Sequence, residues 1–121
     1  MKRSIILLAA VCMLIASACA GRGATPQQTA SAQIEEADST LKVQGTCDMC
    51  KERIEKAAKG VDGVTFAEWN KETQTLQFRY AAVSTSPEAV SLAIAKTGHD
   101  TEKDKADDAV YAALPECCRY R

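Results

Sequence analysis

A chain of 121 residues has room for about one domain. Its 15 basic and 16 acidic side chains leave a net charge of −1, which argues against a nucleic-acid partner, since that would need a basic face. Six cysteines and a single histidine make sulfur the conspicuous chemistry.

Residues 1–18, "MKRSIILLAAVCMLIASA", read as a signal peptide. Lys2 and Arg3 form a basic start, an apolar run follows from Ile5 to Ala16, and small residues end it. The run is short for a membrane span. The expected location is therefore outside the cytoplasm, at a bacterial cell envelope. The sequence "LIASAC" resembles a bacterial lipobox, with Cys19 as the lipidated first residue and a lipid anchor in a membrane facing the periplasm. It departs from the strongest pattern at Ala16, where Leu is usual, and ordinary cleavage after Ala18 or Ala20 is the alternative. Residues 19–39 are small and polar, with almost no large apolar side chains to bury, and are expected to form a flexible tether.

Order is expected from Thr40. "TLKVQG" reads as a strand with Leu41 and Val43 on one face. "CKERIEKAAKG" reads as a helix with Cys50, Ile54, Ala57 and Ala58 inward, stopped by Gly60. In "GVTFAEWN" the inward residues Val64, Ala67 and Trp69 are unevenly spaced, which predicts a bulged strand. "TLQFRYA" alternates with Leu76, Phe78 and Tyr80 inward. A second helix starts with Ser86 as its cap and Pro87 in its first turn, and it should bury Ala89, Val90, Ala93, Ile94 and Thr97 before Gly98 ends it. A short fourth strand is expected through "HDTEK". The order β-α-β-β-α-β predicts an α+β, ferredoxin-like sandwich. The tail, residues 104–121, is expected to lie outside that unit, with a short helix presenting Val110, Tyr111 and Leu114 and ending at Pro115.

Cys47 and Cys50 fall between the first strand and the first helix. Amides and the dipole at a helix N-terminus lower thiol pKa, so both sulfurs should ionise readily. Two soft thiolates suit Cu(I), Hg(II) or Zn(II). Two-coordinate sulfur ligation fits Cu(I) and Hg(II), whereas zinc takes four ligands. "VQGTCDMCKERIEKAAKGVDGV", "TLQFRY" and "AIAKTGHD" together resemble the heavy-metal-associated domain over about residues 40–103. That resemblance implies the ferredoxin-like fold and a soft-metal site at Cys47 and Cys50. It also implies a metal-donor or metal-acceptor protein as partner, such as a metal-transporting ATPase or efflux system. The family usually carries Gly-Met-Thr before the first cysteine, and here the run is Gln44-Gly45-Thr46.

Further candidate ligands are His99, Cys117 and Cys118. In the family the loop holding His99 lies beside the metal loop, so its imidazole is either a ligand, a hydrogen-bond partner of a sulfur, or simply exposed. Cys117 and Cys118 can form a vicinal disulfide, pair with Cys47 and Cys50, or bring further thiolates to the ion. Met49 is expected at the surface or in packing, and Asp48 is expected to cap the helix.

The leading expectation is a Cu(I) carrier, chaperone or buffer. Its rivals are an Hg(II)-binding detoxification protein, a thiol-disulfide oxidoreductase, and a structural four-cysteine zinc domain. An oxidoreductase of the thioredoxin type needs a cis-proline facing the pair, and Pro26, Pro87 and Pro115 do not fit that place. No set of nucleophile, base and orienter is present, so no catalytic residue is expected.

Overall fold

The computed structural model describes residues 34–121. The signal peptide, Cys19 and most of the tether lie outside the described residues.

The chain runs β1 (Glu36–Lys42), α1 (Asp48–Lys59), β2 (Val64–Asn70), β3 (Thr75–Ala81), α2 (Pro87–Ala95), α3 (Asp108–Ala112) and a closing 3₁₀ turn at Glu116–Cys118. The sheet is antiparallel in the order β1-β3-β2. Pairing slips between Val64 and Phe66, which is the bulge expected from the uneven spacing. One sheet face buries Leu41, Ala67, Trp69, Leu76 and Phe78 against Ile54 and Ala58 of α1 and Val90 and Ile94 of α2. This is the ferredoxin-like α+β arrangement.

Four details differ from expectation. β1 begins at Glu36, because Glu36 to Ser39 pair with Ala81 to Phe78; those residues are strand and not tether. The fourth strand shrinks to one bridge, Val43 to Thr101, since the chain after Thr101 turns back on itself: Thr101 N–H donates to Asp104 O at 2.8 Å. The buried stripe of α2 is rotated. Ala89 is exposed, while Ser91 and Ala95 are buried beside Val90 and Ile94. Ser91 is tolerated there because its hydroxyl bonds Thr101 Oγ1 at 2.6 Å and Asp104 Oδ2 at 2.5 Å.

The fourth difference bears most on function. The tail belongs to the core. Leu114 is buried against Gly98, whose φ of +102° suits glycine, and Cys118 is fully buried. The expected helix is short, 108–112, and of its three expected apolar residues only Leu114 is fully enclosed.

Candidate metal centre

α1 starts at Asp48 with Cys47 as its N-cap residue in extended backbone (φ −142°, ψ 172°). Cys50 lies in the first turn and points into the core, fully buried, while Cys47 is half-buried. Their Sγ atoms are 3.2 Å apart. Thr46 N–H donates to Cys50 Sγ at 3.4 Å. Burial raises the Cys47 thiol, but hydrogen bonds from the Cys50 side chain and backbone, and then from Cys118 and Cys117, bring it down to about 7. Asp48 does not cap. Its carboxylate bonds Lys71 Nζ at 2.9 Å, and the cap position has no side-chain hydrogen bond.

The loop is tightly packed for a reason local to this sequence. A Cβ on Gly45 would sit 3.0 Å from both Cζ2 and Cη2 of Trp69 and 3.0 Å from Cys50 Cβ. The indole thus fills the space that an inward side chain before the first cysteine would take, and its N–H donates to Val43 O at 3.1 Å. Trp69 is held in turn from α1. Its N–H donates to Glu55 Oε1 at 2.9 Å, and its carbonyl accepts from Lys51 Nζ at 2.9 Å. These bonds satisfy the open edge of β2.

The tail arrives at the same place. Cys118 Sγ lies 3.6 Å from Cys47 Sγ, and the sulfurs of Cys47, Cys50 and Cys118 are all within 4.8 Å of one another. Cys117 faces outward. Its Sγ is 3.9 Å from Cys118 Sγ and 3.6 Å from Sδ of the half-exposed Met49. The vicinal pair is therefore split, one sulfur inward and one outward. All four described cysteines are free thiols. Burial, reinforced by its bonds to Cys47 and Cys50, holds the Cys118 thiol well above its ordinary value.

His99 is neither exposed nor among the clustered donors. It is fully buried, stacks on Tyr120 with ring centroids 5.9 Å apart, and its Nδ1 lies 3.0 Å from Gln44 O, so Nδ1–H donates to the metal loop's backbone. Nε2 has no partner. Burial pushes His99 below the usual histidine range, consistent with a neutral ring that braces the loop.

Sequence reasoning missed the residues that fix the tail. Thr46 Oγ1 donates to Cys117 O at 2.7 Å. Tyr120 OH accepts from Asp100 N–H at 2.6 Å and donates to Gly98 O at 3.0 Å. Arg121 pairs with Asp100 through two bonds. The only hint in the sequence was the closing "RYR", which is rich in donors but carries no periodicity.

Residues 40–100, half of the chain, match the heavy-metal-associated domain. The chain belongs to that family. It is 32% identical over 88 residues to a copper-exporting P-type ATPase of Bacillus subtilis (strain 168), an alignment covering 72% of this chain and 11% of the ATPase. The chain thus matches about a ninth of that relative's length. Among solved structures it resembles the CopZ metallochaperone (30% identity, TM-score 0.52, 54% of this chain and 98% of that one). It also resembles oxidized MerP from Ralstonia metallidurans CH34 (28% identity, TM-score 0.54, 56% and 96%). The family match supports heavy-metal binding, and the relatives include a metallochaperone and a copper-exporting ATPase. The family match stops at residue 100, so the tail with Cys117 and Cys118 lies beyond it.

Proposed function

We propose that this protein is a non-enzymatic Cu(I) carrier or buffer of the bacterial cell envelope, with Cys47 and Cys50 as the metal-holding thiolates. The observation that carries the reading is the close Cys47–Cys50 sulfur pair at the N-terminus of α1. Hydrogen bonds from its neighbours favour thiolate at Cys47, and soft sulfur favours Cu(I) over harder ions. Relatives named as copper-exporting and copper-translocating ATPases support Cu(I) as cargo and a metal-transporting ATPase as the exchange partner. The sequence of residues 1–19 supports export and a lipid anchor on Cys19.

A second reading is Hg(II) capture, because the same soft thiolate pair accepts both ions. A structural four-cysteine zinc site fits less well, because Cys117 is exposed and turned toward Met49. A thioredoxin-type oxidoreductase also fits less well, since no peptide bond among the described residues is cis. Anaerobic titration of the reduced protein with Cu(I), Zn(II) and Hg(II) tests the proposal. Tightest binding is expected for Cu(I) or Hg(II), with one ion per chain. Tight Zn(II) binding with Cu(I) excluded would replace the carrier reading with the structural one.

A further inference from the structure

Three sulfurs meet at the start of α1, and one of them comes from the far end of the chain. Resting on the soft-metal reading above, we infer that Cys118 supplies a third thiolate to the ion, so that the protein's own tail closes the site over its cargo.

The distances favour three ligands over two. With metal–sulfur bonds near 2.3 Å, sulfurs on one ion stand about 3.8 Å apart in tetrahedral geometry, about 4.0 Å in trigonal and about 4.6 Å when opposed in a line. Cys47 lies 3.2 Å from Cys50 and 3.6 Å from Cys118, and the whole triad fits within 4.8 Å. The first pair is far tighter than a linear site requires. Movements of less than about 1 Å bring the three to trigonal spacing, a change that side-chain torsions supply.

The third sulfur is placed by bonds that need no metal. Thr46 holds the carbonyl of Cys117, Tyr120 bridges Asp100 and Gly98, Leu114 packs on Gly98, and Arg121 grips Asp100. Cys118 is consequently fully enclosed although it stands fourth from the end of the sequence. A ligand already held in position loses little freedom on binding, and its attachment to the same chain gives it a high effective concentration.

On loading, each sulfur that is still protonated releases its proton to solvent and all three donate a lone pair to the ion, with no electron transferred. On unloading to a partner that presents its own thiolates, an incoming sulfur takes the place of Cys118, which leaves as the tail lifts. The tail therefore acts as an internal competitor of the acceptor and sets the rate of release. Cys117 and Met49, exposed at the rim, are the first soft atoms such a partner meets.

The test is X-ray absorption of the Cu(I)-loaded, reduced protein, together with chelator competition, on wild type, C117S, C118S and C118A. Three Cu–S bonds are expected in wild type and C117S, and two in C118S and C118A. The Cu(I) dissociation constant should rise about tenfold or more on loss of Cys118. Circular dichroism of the apo variants separates ligand loss from unfolding, and the wild-type coordination number requires no variant. Two Cu–S bonds in wild type, or unchanged affinity in folded C118S, would overturn the third-ligand inference while leaving the Cys47–Cys50 site standing. Absence of any tight soft-metal binding by the wild type would overturn both.

Discussion

Arg121 and Asp100 form a two-point clamp: Nε donates to Oδ2 at 3.0 Å and Nη2 to Oδ1 at 2.6 Å. The same guanidinium lies 4.3 Å above the Tyr111 ring and donates to Ala106 O at 3.1 Å. Both side chains are largely sheltered, with 25% and 20% exposure. Burial works against the Asp100 carboxylate, yet the Arg121 bond and the Ala106 amide hold it below its usual range. Arg121→Ala should therefore lower the urea midpoint and speed Cu(I) release to a chelator. Urea denaturation and stopped-flow transfer measure the two effects. Unchanged values in both would mean that the tail is held by something else.

Gly45 and Trp69 are a second coupled pair. Gly45→Met, which installs the residue the family usually carries, forces a Cβ into contact with the indole and with Cys50. A loss of about 1–3 kcal/mol is expected. Combining it with Trp69→Leu should be less damaging than the sum of the two single changes, because the second makes room for the first. A double-mutant cycle by thermal or urea unfolding reads this directly, and strict additivity would show that the two sites do not share space.

The Cys47 thiol, at about 7 in the fold against an ordinary 9.0, sets a pH dependence. A thiol lowered on folding stabilises the native state fully above 9.0, and that contribution disappears as pH falls through about 7. In the apo protein, iodoacetamide should modify Cys47 with a rate that rises through pH 7 and then levels. In urea the midpoint should return to the ordinary value. Because protons compete with the ion for the Cys47 thiolate, the fall of metal affinity with falling pH should steepen below about 7. A native midpoint equal to the unfolded one would show that the hydrogen bonds from Cys50, Cys118 and Cys117 do not activate Cys47.

Much of this fold was readable because its elements are periodic. The alternation in "TLQFRYA" and the helical spacing of Cys50, Ile54 and Ala58 name the core directly. Cys47 and Cys50 were readable because three-residue spacing at a strand-to-helix turn has few other uses. The tail's packing was not readable, although Cys117 and Cys118 stood out as possible partners of the first pair. Leu114 and Cys118 are buried by contacts to Gly98 and Cys47 that are distant in sequence, and the bonds of Tyr120 and Arg121 leave no local pattern. His99 was legible as a neighbour of the metal loop, but not as a buried ring. Its burial depends on Tyr120, which only the folded tail brings to it. The fourth strand was overread because the β-α-β-β-α-β order leads one to expect a strand after the second helix; "HDTEK" holds only one strand-favouring residue, and Thr101 and Asp104 bond each other and Ser91 instead.

The proposed anchor has its own test. Cells grown with labelled palmitate should mark the wild-type protein and leave Cys19→Ala unlabelled. An unlabelled wild type that appears freely in the periplasmic fraction would favour ordinary cleavage at the small-residue sites near Ala18 and Ala20.

In the proposed function Cys47 and Cys50 hold a soft ion, and the most direct measurement of this is the Cu(I) dissociation constant of reduced wild type and C50S by chelator competition under anaerobic conditions. Ser at position 50 is nearly isosteric, so circular dichroism should report a folded domain. A loss of affinity of about a hundredfold or more is expected, corresponding to roughly 2.7 kcal/mol or more. Near-native Cu(I) affinity in folded C50S would contradict the assignment.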